Sequence, residues 1–555
     1  MSQPRTHFPR FIAGVGGLLG LGLLLAGQAV ASGLQDLLPG RAMVRSSGTF
    51  YPPFQEAGPW VLRGLGVAIL LGTSTGLVVG SGVWSHATRW FARLRPMVAI
   101  AVLVVAAFVI YSLLAYPHNA FPSNARIHWV DIFFHRNDRF FYVLVKPLHS
   151  LFYDQPHLLQ GLTGAGNVTL VYALGRRLLS SQWTAVAMAA SFLASGLMMT
   201  FANGAEDVHI NVAVLLFALL LYARRSRLLG LAIFVVTLGR PPFVVMVGAF
   251  VLTEVVISAL SEEGSRLQSR LRRVLENRFL LQQVGLFAGL FVVWHTALAI
   301  AGVNWLFANG RLVDVPHLDF EPIAVGGFTI SSMSMTYVLH SLWIFPAATL
   351  GANVLVVALF RRLTVDLKRA FIFIWLFVVM TVGIAEWFPM YYFNVRFLAY
   401  VFPFVLVGGW LVFGAVPEGQ RLVPLRVGAA VLMLASTLAM PSTALETRNR
   451  VRESRMSAAF HDRRELRSLV GDASVSMDFG GRADRNYLAY VLRRPLDRIG
   501  RAGTNVESLA GVWFVLTSDQ FRYQGAEVVW HGTELRLVEL SHRESVDAAQ
   551  RDGQS

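Results

Sequence analysis

Cysteine is absent from all 555 residues, which excludes a disulfide framework and any Cys-ligated metal or cluster. Charge is scarce too. Asp, Glu, Lys and Arg make up 15% of the chain against 55% hydrophobic residues, and that balance excludes a soluble enzyme carried on a single anchor. Acidic residues are scarcer than basic ones, 33 against 48, for a formal net charge of +15. Most of the Arg lies in short loops between apolar runs, which is how positive charge sets the orientation of membrane spans and needs no nucleic-acid partner. No internal repeat is visible, and no charge is expected at the bilayer midplane. Both absences count against a transporter built from paired halves around a midplane site.

What is present is a series of apolar runs, several reaching about 20 residues, the length of a helix that crosses a bilayer. Arg5 and Arg10 precede an apolar run from Phe11 and then Ala29-Val30-Ala31-Ser32, the pattern of a cleavable signal peptide. Extended to Leu34, the same run is long enough for a retained first helix, the reading favoured here. Further spans are expected near Trp60–Val83, Met97–Ala115, Leu159–Gly175, Trp183–Phe201, Val208–Tyr222, Phe279–Ala301, Tyr337–Phe360, Ala370–Trp387, Phe397–Phe413 and Val427–Met440. Leu228–Leu238 is short, is interrupted by Gly239-Arg240-Pro241-Pro242, and resumes as Phe243–Leu260. Such a break survives at membrane depth only where the freed backbone is buried in protein or lines a cavity.

The fold class expected is an α-helical polytopic membrane protein of roughly thirteen spans with a small C-terminal extracytoplasmic α+β domain. Its divisions are residues 1–96 (N-terminal spans), 97–442 (the transmembrane catalytic region, with outer loops 116–157 and 302–335) and 443–555 (the soluble region). β-like runs at Val512–Leu516 and Ala526–Trp530 mark the last of these. Alternating Arg-rich loops put 116–157, Glu206-Asp207, Arg240, 302–335 and Met390–Arg396 on one face, outside. The protein is therefore expected in the cytoplasmic (inner) membrane of the cell envelope, with its tail periplasmic.

That outer face carries the candidate chemistry. Glu206 and Asp207 are adjacent carboxylates at the start of a span, with His209 following. An acidic cap on the first helical turn accounts for them without chemistry, whereas charge at the edge of the hydrocarbon commonly marks a site. Upstream, Asp131 and Asp138 stand seven residues apart, on one face if helical, with His135 between them. Either Asp suits a general base for a hydroxyl or a ligand for a cation beside phosphate, and solvated charges on an interfacial helix are the plain alternative. His128, Asp131 and His135 match no defined metal motif. Arg240 before two prolines, Arg396 beside Tyr392 and Asn394, and Lys146 are suited to a phosphate oxyanion. Snorkelling to head groups is the competing use. No cofactor is required by these residues, and a divalent cation (Mg or Mn) is compatible with them.

Together these residues resemble the GT-C superfamily of polytopic glycosyltransferases, over about residues 97–415. The pattern is the loop with Asp131 and Asp138 leading into Lys146-Pro147-Leu148-His149-Ser150-Leu151-Phe152, the acidic pair Glu206-Asp207 opening a span, the break around Gly239-Arg240-Pro241, and Arg396-Phe397-Leu398 with Pro403 beyond. The resemblance implies transfer of a sugar from a polyprenyl-phosphate carrier to a glycan, lipid or protein acceptor on the outer face, with inversion. It makes a first-loop acid the base, and gives the second-loop acids an assisting or metal-binding role. Two spans more than usual precede the first loop, and that loop offers two Asp where the family has an Asp-Glu pair, so the choice between Asp131 and Asp138 stays open. Arg240, Arg396 and Lys146 are assigned to the donor phosphate, and His128, His135, His209, Tyr392 and Asn394 to the substrate pocket. A lipid-linked glycan flippase, a polymerase or ligase using a diphosphate-linked donor, and a non-catalytic envelope scaffold are the rival readings.

Overall fold

The computed structural model describes residues 7–37, 54–80, 95–115, 151–152, 155–203, 208–239, 241–260, 276–300, 323–325, 328–330, 344–387, 395–416, 422–446, 449, 459, 461–477, 488–489, 491–492, 499–501, 513–518, 527–532 and 534–540. It divides into two units, one of residues 1–110, 162–201 and 207–444, the other of 111–161, 202–206 and 445–555.

The first unit is helical because its segments are apolar on every side, and a helix satisfies its own backbone where water is absent. Five helices are long and apolar enough to cross a membrane: Gly14–Leu34, Ala57–Val79, Pro96–Leu114, Arg278–Ala297 and Leu398–Ala415. The last is buried almost throughout, while the other four turn most of their surface outward. Helix α1 (His7–Leu37) packs along α2 (Phe54–Gly80) through paired glycines. A Cβ on Gly66 would stand 2.6 Å from the Gly20 carbonyl oxygen, so only bare backbones fit this crossing. The same device joins α2 to a later helix, since a Cβ on Gly428 would stand 2.6 Å from the Gly72 carbonyl oxygen.

After α3 (Pro96–Leu114) and α4 (Pro156–Leu178), the single span expected at Trp183–Phe201 is instead two helices, α5 (Gln182–Leu193) and α6 (Gly196–Thr200). Ser195 caps the second by accepting from the Met198 amide at 3.4 Å, and the Pro441 carbonyl packs directly on Gly196. Helix α7 (Val208–Ala223) follows, then the interrupted pair α8 (Leu229–Gly239) and α9 (Val245–Leu260), separated by a 3₁₀ turn at Pro241–Val244. Two consecutive prolines lack the N–H groups that an α-helix needs, so the break falls where the sequence places it. Phe243 in the turn is fully buried against Phe377 and Tyr400, with ring centroids 6.1 and 5.2 Å away. Phe243 thus anchors the break in protein, while Val244 beside it is exposed.

Helix α10 (Arg278–Ile300) and the hairpin of β1 (Ile323–Val325) and β2 (Phe328–Ile330) lead to α11 (Ala347–Ala358), α12 (Val365–Trp387), α13 (Val395–Trp410), α14 (Val412–Ala415) and α15 (Val423–Leu438). Pro346 caps α11, so that helix starts later than the run beginning at Tyr337 implied. Three helices meet at Asn353: its amide donates to the Val405 carbonyl at 2.9 Å and accepts from the Trp375 indole at 3.1 Å. Gly408 leaves room for that amide, because a Cβ there would lie 2.5 Å from Asn353 Oδ1.

The second unit holds a five-stranded mixed sheet, ordered β4 (Ile499–Arg501), β3 (Ser474–Met477), β5 (Trp513–Thr517), β7 (Arg536–Leu540) and β6 (Glu527–His531). β3 runs parallel to both β4 and β5, and β7 runs antiparallel to β5 and β6. Helix α16 (Arg463–Val470) puts Leu466 and Val470 into a core with Val475, Met477, Phe514, Leu516, Trp530 and Leu537. The Trp530 indole N–H donates to Asp462 at 3.1 Å, as a buried indole requires. The runs read as strands at Val512–Leu516 and Ala526–Trp530 correspond to β5 and β6.

Candidate active site

The start of α7 is the best-defined part of the candidate site. Val208 and His209 are fully buried, and Asn211 nearly so. His209 Nε2 lies 3.0 Å from the Met198 carbonyl oxygen, which can only accept, so the ring carries its proton on that nitrogen. Its Nδ1 then turns a lone pair towards Asn167 Nδ2 on α4, 3.4 Å away. The same Asn167 amide donates to the His209 carbonyl at 3.0 Å. Three helices therefore converge on this one histidine, which was named from the sequence as a pocket residue and here faces protein on all sides.

The end of α6 is held in a comparable way. Thr200 Oγ1 donates to the Gly196 carbonyl at 2.8 Å and accepts from the Thr443 amide at 3.2 Å.

His128, Asp131, His135, Asp138, Lys146, Glu206, Asp207, Arg240, Tyr392 and Asn394 lie outside the described residues. Arg396 stands in the first turn of α13. Among the described residues no group of three or more His, Asp or Glu side chains is arranged to hold a metal ion.

A second polar cluster was not singled out from the sequence. Glu254 on α9 is 1% exposed and accepts from the Tyr222 hydroxyl and the Asn277 amide, each at 3.0 Å. Arg225 Nη1 and Arg369 Nε approach the same carboxylate at 3.6 and 3.7 Å. Asp366 extends the network, 3.0 Å from Arg177 and 3.7 Å from Arg369. Arg225 adopts φ +49°, and its guanidinium covers the Phe279 ring at 4.4 Å. The signal that marks this cluster is a lone carboxylate inside the apolar run 245–260, which costs too much to leave unpaired. Asn167, a single amide on α4, gives a fainter signal of the same kind.

No protein-family model matches the chain, and no curated protein sequence matches it either. Among solved structures, it is similar to ArnT from Cupriavidus metallidurans. Against ArnT bound to undecaprenyl phosphate the TM-score is 0.50 at 12% identity, over 80% of this chain and 98% of that one. Against the apo form the TM-score is 0.48 at 12% identity, over 83% and 99%. The chain thus shares the fold of ArnT over most of both chains.

Proposed function

We propose that this protein is an inverting membrane glycosyltransferase that takes a sugar from a polyprenyl-phosphate carrier and gives it to a glycan, lipid or protein acceptor on the outer face of the inner membrane. The observation that carries the proposal is the fold shared with undecaprenyl-phosphate-bound ArnT, together with the helix break between α8 and α9. In this reading the chain crosses the membrane roughly thirteen times and its C-terminal sheet lies outside. The paired glycines between α1 and α2 support retention of the first helix.

Asp131 or Asp138 takes the proton of the acceptor hydroxyl. The acceptor oxygen attacks the anomeric carbon as the bond to the phosphate oxygen breaks on the opposite side. The electron pair leaves on the polyprenyl phosphate, whose charge Arg240, Arg396 and Lys146 hold. Glu206 and Asp207 orient the base-bearing loop, and they offer hard oxygen ligands to a divalent cation.

The test uses purified protein in lipid nanodiscs, radiolabelled undecaprenyl-phosphate pentoses and hexoses, and a membrane extract as acceptor source. Transfer by the wild type, lost in the Asp131→Asn, Asp138→Asn double variant, is the expected result. Full transfer by that variant removes the assignment of the base.

A further inference from the structure

We propose that the turn between α7 and α8, with the start of α10, binds the headgroup of an anionic phospholipid, whose phosphate Arg225, Arg227 and Arg278 hold. The site uses none of the residues assigned to glycosyl transfer and belongs to the end of the helical unit where the Glu254 network lies. In that network three guanidiniums, of Arg177, Arg225 and Arg369, meet two carboxylates, of Glu254 and Asp366. Asp366 serves Arg177 and Arg369, while Arg369 and Arg225 share Glu254. The network thus carries one positive charge more than it neutralises. Arg225 carries that surplus: its Nη1 stands 3.6 Å from the shared carboxylate and has no hydrogen-bond acceptor among the described residues.

Arg225 is also held where a headgroup can reach it. Its φ of +49° is a left-handed conformation that a side chain disfavours and that persists where the surroundings fix it. Its part-exposed guanidinium covers the Phe279 ring at 4.4 Å, which brings the start of α10 against the turn. Arg224 and Arg227 on the turn and Arg278 beside Phe279 are exposed. Two N–H groups of one guanidinium match two oxygens of one phosphate.

The surroundings suit a lipid phosphate better than a soluble one. Leu228 adjoins Arg227, Leu231 follows one turn on, and Leu281 lies one turn beyond Arg278; all three are exposed. Helices α8 and α10 meet here, the Gly230 amide donating to Gln283 Oε1 at 2.8 Å. A phosphate held at the turn would therefore lay its acyl chains on apolar helix surface, the arrangement of basic headgroup sites between membrane helices.

The experiment titrates delipidated full-length protein in detergent with dioleoyl phosphatidylglycerol or dioleoyl phosphatidylcholine and counts bound lipid by native mass spectrometry. It is repeated with Arg225→Gln, Arg278→Gln and Arg361→Gln, the last removing another exposed arginine, between α11 and α12. The wild type is expected to hold one phosphatidylglycerol at least roughly 10-fold more tightly than phosphatidylcholine. Arg225→Gln and Arg278→Gln should each weaken phosphatidylglycerol roughly 10-fold, and Arg361→Gln should leave it unchanged. If Arg225→Gln fails to fold, Arg278→Gln, which leaves the Glu254 network intact, decides. Equal affinity for the two lipids overturns the proposal. An equal loss in Arg278→Gln and Arg361→Gln also overturns it, since that is the mark of a diffuse basic face. Displacement of phosphatidylglycerol by inorganic phosphate, but not by chloride at the same ionic strength, assigns the site to a soluble anion and overturns the lipid.

Discussion

The Tyr222 hydroxyl donates to Glu254 Oε1 across 3.0 Å, and this bond ties the end of α7 to the middle of α9. Two guanidiniums, of Arg225 and Arg369, approach the same oxygen. Removing the carboxylate leaves the buried Tyr222 hydroxyl without this acceptor, while the two guanidiniums keep 35% and 26% of their surface exposed. Glu254→Leu should cost about 1–3 kcal/mol, the penalty for stranding a buried polar group. Glu254→Gln keeps an acceptor for Tyr222 and should cost less. Thermal unfolding in detergent, read by tryptophan fluorescence, checks the order of the two variants.

The glycine crossings give a packing prediction. Gly428→Val places side-chain atoms against the backbone of α2, where even a Cβ would lie 2.6 Å from a carbonyl oxygen. Overpacking of this kind costs about 1–3 kcal/mol. The expected result is a lower melting temperature, whereas Gly289→Val on α10, where a Cβ meets nothing within 4 Å, should leave it unchanged.

The donor phosphate gives a kinetic prediction. Arg240→Ala and Arg396→Ala should each weaken binding of an undecaprenyl-phosphate sugar by about 1.5–3 kcal/mol, the range for a hydrogen bond to a charged group. Lysine at either position should recover only part of this, because an ammonium does not match two phosphate oxygens at once. Donor-concentration series in nanodiscs measure it.

Metal dependence is checked in the same assay. If Glu206 and Asp207 hold a divalent cation, EDTA abolishes transfer and Mg or Mn restores it. Transfer that is indifferent to EDTA leaves these carboxylates an orienting role only.

The parts legible in the sequence are those whose causes are local. Gly239-Arg240-Pro241-Pro242 breaks a helix by covalent structure alone, and α8 ends at Gly239. The short β-branched and aromatic runs after residue 510 become strands through local propensity. The break at Ser195 was not legible, because Gly196 reads as an ordinary small residue in an apolar run until Pro441 is folded against it. The Asn167–His209 bond spans 42 residues, and neither side chain announces the other. Glu254 was passed over inside an apolar run read as free of charge, and its partners Arg225 and Arg369 lie in basic stretches that read as ordinary orientation charges. Among the candidate site residues named from sequence, His209 is the one whose side chain the structure describes.

The glycine crossings on α2 also impose an order of assembly. Gly20 and Gly66 are made close together and can pair as soon as the first hairpin enters the membrane. Gly72 must wait for Gly428, and at 5–20 residues per second that interval is roughly 20–70 s. During it, one face of the first hairpin is shaped for a helix that the ribosome has not yet made, and lipid must fill the groove. The last helix of the membrane unit then displaces that lipid, so the chain's earliest and latest membrane segments close the bundle together.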